Sequence, residues 1–173
     1  MNADGTKIVF YNNNYRGISD LRLADFSREG RASNITKLGE TINSKYTEIS
    51  GALSEDGKKF FFASDREGGY GGTDLYLCQK LPNGEWSEAM NLGPTINTVY
   101  DEDFPNLYDN GKVLYFSSRG HSSMGGYDIF KAKWDEGEKF VDFIIYNMTY
   151  DEWDEYEDIN RNGKLVKRIF KQY

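Results

Sequence analysis

The chain has 173 residues, a net charge of −7 and a single cysteine, Cys78. That charge argues against a nucleic-acid backbone as partner, since such a partner needs a basic stripe, and it disfavours an anionic membrane surface; one cysteine excludes an internal disulfide framework and a cysteine-held metal cluster. With 13 Tyr, 11 Phe, 18 Gly and only three Pro, the chain suits many short strands and tight turns, in one domain large enough for a real core.

It opens on MNADGTKIVF, beside an Asp-Gly turn. No basic stretch leads into an apolar one there, so no signal peptide is visible, and the start reads as a cut from a longer chain or as a mature product. No apolar run approaches the ~20 residues that would span a bilayer, so no direct membrane insertion is expected. From there the elements recur. Residues 60–78, FFFASDREGGYGGTDLYLC, align without a gap on 114–132, LYFSSRGHSSMGGYDIFKA, one period of 54 later. KLGETIN (37–43) returns as NLGPTIN (91–97), and Asp20, Asp74 and Asp128 keep the same spacing. Turn pairs Asp4-Gly5, Asp56-Gly57, Asn110-Gly111 and Asn162-Gly163 set their glycines 52, 54 and 52 residues apart. A fixed period of this length signals a repeat architecture.

Each unit reads as four strands. EISGALS (48–54) and EDFPNLY (102–108) come first, then an Asp-Gly or Asn-Gly turn, which needs positive φ, and KKFFFAS (58–64) or KVLYFSS (112–118). A glycine-rich loop leads to a third strand, TDLYLCQK (73–80) or YDIFKAKW (127–134), and a second turn to a fourth, EWSEAMNL (85–92) or EKFVDFII (138–145). Four antiparallel strands per 50-odd residues make a β-propeller blade. The expected fold is all-β, a single propeller-type domain over 1–173 with blades near 1–45, 46–99, 100–150 and 151–173. The first lacks its inner strand and the last stops after one hairpin. Rings close with about 4–8 blades, so self-association, a partner or further blades must complete this arc.

At LSEDGKKFFFASDREGGYGGTDLYL (53–77) the sequence resembles the TolB-type, WD-like propeller repeat. The phrase NLGPTIN, followed by YDEDFPNLYDNGKVLYFSSRGHSSMGGYDIF (100–130), resembles the form found in OmpA-family cell-envelope proteins of Bacteroidota and in a periplasmic component of the type IX secretion system. The resemblance covers residues 4–135 and decays beyond. It implies a periplasmic, outer-membrane-associated setting and protein partners in an envelope complex.

The chemistry-bearing residues point the same way. EGGYGGTD and SSMGGYD match no phosphate-binding pattern, and each leads into a strand, without a helix N-terminus to hold an anion. Asp20, Asp74 and Asp128 recur in every blade and are expected to accept loop amides, and Gly57 and Gly111 to turn hairpins. Glu48, Glu102, Asn43 and Asn97 lie in the connections between blades, with Glu48 expected to pair with Arg66 and Glu102 with Arg119. His121 alone cannot form a multi-histidine metal site, and no nucleophile elbow exists. The acidic run YDEWDEYED (150–158) lacks the internal glycine of a Ca²⁺ loop and reads as a solvated or partner-facing edge. No catalytic residue, cofactor or metal is assigned. What differs between copies is the loops NNNYRGIS, DREGGYG and RGHSSMG, so partner recognition is expected from Tyr15, Arg16, Arg66, Tyr70, Arg119, His121 and Met124. The expected protein is a non-enzymatic interaction scaffold. The alternatives are a propeller that binds or processes carbohydrate through Arg66, Arg119 and nearby carboxylates, or a self-assembling module.

Overall fold

The computed structural model describes residues 5–13, 18–121, 123, 125–134 and 146–148. They form three antiparallel sheets. The first has three strands in the order β1 (Lys7–Asn13), β2 (Ser19–Phe26) and β3 (Ala32–Lys37). The second is β4 (Glu48–Leu53), β5 (Lys59–Ser64), β6 (Asp74–Gln79) and β7 (Met90–Asn91), and the third β8 (Glu102–Tyr108), β9 (Val113–Ser118), β10 (Asp128–Lys133) and β11 (Tyr146–Met148). The sheets are open, and among the described residues helix is confined to one 3₁₀ turn, Asp109–Gly111. No helix among them is long and apolar enough to cross a membrane.

The sheets stack face to face, and position in the stack explains the sequence pattern. The second sheet has both faces covered, so Phe60, Phe61, Phe62 and Ala63 are all fully buried and the strand reads as a continuous apolar run. Phe60, Phe62, Tyr76 and Cys78 pack toward Leu21, Leu38 and Ile42 of the first unit. Phe61, Ala63, Leu75 and Leu77 pack toward Leu114, Phe116, Phe130 and Ala132 of the third. In β9 burial alternates instead, with Leu114, Phe116 and Ser118 inward.

The hairpin turns differ from a two-residue loop. Gly57 donates to the Ser54 carbonyl at 2.9 Å and Ser54 to that of Lys59 at 2.8 Å, with φ +70° at Gly57. Asp56 stays at negative φ, and its carboxylate caps the turn by accepting from Ser54 Oγ and the Lys58 amide. The fourth strand of the second sheet also departs from expectation. Over 85–92 only Met90 and Asn91 form ladder, plus an isolated bridge from Lys80 to Trp86, and the Gln79 amide goes to Ser87 Oγ instead of a backbone carbonyl. In the third sheet the fourth position is held by Tyr146–Met148, whereas the expected strand at 138–145 and the fourth blade at 151–173 lie outside the described residues.

Candidate recognition face

Two asparagines and two glutamates hold the sheets together beneath the loops. Asn97 Oδ1 accepts the Leu75 amide at 2.8 Å, while Nδ2 donates to the Leu75 carbonyl at 2.9 Å and to Asn91 Oδ1 at 2.8 Å. Asn43 repeats this on Leu21, accepting its amide at 2.6 Å and donating to its carbonyl at 2.9 Å and that of Leu38 at 2.8 Å. A carboxamide presents one acceptor and one donor as a peptide does, so it completes the edge where the backbone ladder stops. Glu48 and Glu102 are fully buried, and each accepts from the loop behind and the strand beside it. Glu48 takes the Ser44 amide and hydroxyl and the Ser64 hydroxyl; Glu102 takes the Thr98 amide and hydroxyl and the Ser118 hydroxyl.

Arg66 is turned inward. It is paired with Glu48 at 3.1 Å, with its side chain only 14% exposed. It also donates to the Thr41 and Ile42 carbonyls and lies over the rings of Phe62 and Tyr76. It therefore holds the interior together and is withdrawn from the recognition set expected from sequence. Arg119 does not pair with Glu102. It pairs with Asp101 at 3.2 Å and stays half exposed, because it falls 53 residues after Arg66, one short of the period, and so occupies the position of Asp65. His121 is drawn inward too, its Nε2 donating to the Ile96 carbonyl at 2.7 Å.

Asp74 accepts the amides of Tyr70 at 2.6 Å and Gly71 at 3.0 Å and the Asn91 side chain at 2.8 Å, which curls the glycine-rich loop onto the start of β6. Asp20 instead pairs with Lys37 at 2.9 Å. Asp128 begins β10 opposite Ser118. Tyr15, Arg16 and Met124 lie outside the described residues.

What remains on the surface is an aromatic cluster. Tyr70 is 49% exposed, Tyr100 58%, Val99 76% and Tyr127 47%. The loops that carry Tyr70 and Tyr100 adjoin through their backbones, since a Cβ on Gly71 would lie 1.9 Å from the Tyr100 carbonyl oxygen. Asp101 is the hub: it accepts the Thr73 amide at 3.3 Å and Arg119 Nη1 at 3.2 Å, and its carbonyl takes the Arg119 amide at 3.0 Å. The Arg119 guanidinium lies 5.9 Å from the Tyr127 ring centre. Partial burial, then the Asp101 and Asp103 carboxylates, push the Tyr127 hydroxyl above its ordinary pKa, so it stays a neutral donor. Val99, Tyr100, Asp101 and Tyr127 escape a reading of the loops alone; an apolar Val-Tyr pair between the polar ends of two units was the available signal.

Among the described residues no three His, Cys, Asp or Glu side chains gather as metal ligands. Burial pushes the Cys78 thiol up to about 12, which leaves it a packed apolar group. An open cleft between the first two units is lined by Leu23, Leu38, Thr41, Lys80 and Trp86. Phe60 packs against the Trp86 ring and Lys80 Nζ stands 4.4 Å over it, so little ring face is left for a sugar. The class defined by these features is an all-β protein of stacked antiparallel sheets, with its loops gathered over a buried hydrogen-bonded seam. No protein-family model and no curated protein matches the chain.

Proposed function

We propose that this chain is a non-enzymatic interaction scaffold of β-propeller type that captures a protein partner in a bacterial cell-envelope complex, in the periplasm. The observation that carries this reading is the exposed group Tyr70, Val99, Tyr100, Arg119 and Tyr127, fixed over a seam whose buried polar groups are hydrogen-bonded to one another. Tyrosine and arginine dominate interface hot spots, and a ring with two torsions loses little entropy when it binds. The Arg119–Asp101 pair orders the rim before a partner arrives. The envelope setting is supported by the repeat phrases that resemble TolB-type propellers.

The test is site-specific photocrosslinking in intact cells. A crosslinking residue at Tyr100 should yield a discrete protein adduct that the Tyr70→Ala/Tyr127→Ala background abolishes; the same residue at Ile35, exposed on β3, should yield none. Equal adducts from both positions, or none from Tyr100, refute the face. Binding on a glycan array would move the reading to a carbohydrate ligand.

A further inference from the structure

β1 is an edge strand where its counterparts in the other two sheets are not. The turn glycines Gly5 and Gly57 are 52 residues apart, so Val9 and Tyr11 correspond to Phe61 and Ala63 and, 54 further on, to Tyr115 and Ser117. β5 pairs with β4 and β9 with β8, whereas among the described residues β1 pairs with β2 alone. The Phe26 amide donates to the Thr6 carbonyl. Successive residues of an antiparallel strand turn their backbone groups to opposite sides, so those of Val9, Tyr11 and Asn13 point away from β2. In the second sheet both sides are used: the Lys80 amide donates to the Lys58 carbonyl, and the Ser54 amide to the Lys59 carbonyl on the β4 side.

A second observation is that nothing blunts this edge. Sheet edges are commonly guarded by charge, proline or a bulge. β3, the other edge of the same sheet, is bulged opposite Leu23 and Asp25, holds Asn34 at a left-handed φ of +50° and ends on Lys37. Residues 8–13 of β1, IVFYNN, have no charge and no proline. They pair with β2 without a bulge and leave Tyr11 55% exposed.

The strands in the equivalent place beside β5 and β9 define what fits. Each is a glutamate with a leucine five residues on, Glu48 with Leu53 and Glu102 with Leu107. Glu48 stands opposite Ser64 and Glu102 opposite Ser118, and each accepts that serine's hydroxyl. Leu53 stands opposite Phe60, and Leu107 opposite Leu114. In β1 the matching positions are Asn12, whose carboxamide is a donor for a carboxylate, and Ile8. We propose that the open edge of β1 binds an extended segment of a partner protein as an added antiparallel strand, with a glutamate opposite Asn12 and a leucine opposite Ile8. Both segments of this pattern in the chain are already paired within their own sheets, so a second copy has none to lend. The inference rests on the reading of the chain as a protein-capturing scaffold, and it adds a backbone-mediated site on β1, separate from the tyrosine loops.

The probe is a fluorescein-labelled peptide of residues 46–54, YTEISGALS, titrated into the full chain and followed by fluorescence polarisation. Saturable binding is expected. Tyr11→Pro removes one amide that points away from β2 and spares the β1–β2 ladder, and it should weaken binding roughly tenfold. Glu48→Gln in the peptide should weaken it less. Hydrogen exchange of the native chain gives a second readout: bound peptide should slow the Val9, Tyr11 and Asn13 amides and leave β4 and β5 unchanged. No saturable binding, equal binding to Tyr11→Pro, or faster exchange of β4 (the peptide then replacing that strand) overturns the proposal. The outcome is separable from that at the loops. A Tyr100 adduct without peptide binding refutes the β1 site alone, and β1 protection without the adduct refutes the loop face alone.

Discussion

His121 stands in the third sheet where Arg66 stands in the second. Arg66 Nη2 donates to the Ile42 carbonyl at 2.7 Å, with its guanidinium 4.8 and 4.9 Å from the ring centres of Phe62 and Tyr76. His121 Nε2 donates to the Ile96 carbonyl at 2.7 Å, with its ring 5.9 and 5.3 Å from Phe116 and Phe130. Ile96, Phe116 and Phe130 are the period partners of Ile42, Phe62 and Tyr76; His121 reaches the same niche from one residue further along, through a left-handed φ of +52°. One niche thus accepts two different planar nitrogen groups.

Removing the cation from the second sheet leaves Glu48 buried without it. Arg66→Met should lower unfolding free energy by about 3 kcal/mol, since an unpaired buried charge is costly. His121→Arg should stay within about 1 kcal/mol of the native chain. Urea denaturation measures both; a cost below 1 kcal/mol for Arg66→Met would show that the carboxylate is held by its serine donors alone.

Asn97→Ala deletes three hydrogen bonds and strands the Leu75 amide at a buried edge, where the Leu75 carbonyl keeps only the Leu92 amide. A loss of about 3 kcal/mol is expected. It should appear in hydrogen exchange first at β6 and β7. Asn43→Ala should act likewise on β2.

Gly71→Ala forces a methyl group against the Tyr100 carbonyl, 1.9 Å away, with backbone on both sides. At least about 2 kcal/mol should be lost. Gly84→Ala meets open space and suffers only from its φ of +85°, so about 1 kcal/mol is expected there. Melting curves of the two variants separate crowding from conformational strain. Equal shifts would refute the close approach.

Asp103 is buried, and desolvation lifts its carboxyl above the ordinary 3.8, opposed by hydrogen bonds from Ser50 and the Phe104 amide. A carboxyl raised on folding stabilises the native state while protonated. That contribution is complete below pH 3.8 and is lost as pH rises through the higher folded value. Asp103→Asn keeps an acceptor for Ser50 and Phe104 without the charge. It should therefore be more stable than the native chain near pH 7, and the gap should narrow toward pH 3.8. A gap independent of pH would rule out the ionisation as its source.

Much of the fold was readable because repetition multiplies a weak signal. Asn43 and Asn97, or Glu48 and Glu102, draw attention only because each pair recurs at one spacing, and the buried seam they form follows from their chemistry. In the second sheet the expected fourth strand shrinks to Met90–Asn91, with Ser87 Oγ taking the Gln79 amide, which alternation cannot reveal. Arg119 was assigned to Glu102 by analogy with Arg66, although a one-residue offset turns it to Asp101. The side chains expected to recognise a partner are the hardest to read. Arg66 and His121 have the composition of surface groups, and only packing shows that they face inward, whereas Tyr100 and Tyr127 remain outside.

By itself the sequence determined the period, the order of the hairpin strands and the places of the turns, because these depend on neighbours close along the chain and on backbone preference at a few glycines. Tertiary structure alone decided which polar groups became seam and which became surface. That choice depends on the stacking of one sheet on another: a middle sheet loses both faces to burial, and a loop side chain one residue out of step meets a different carboxylate.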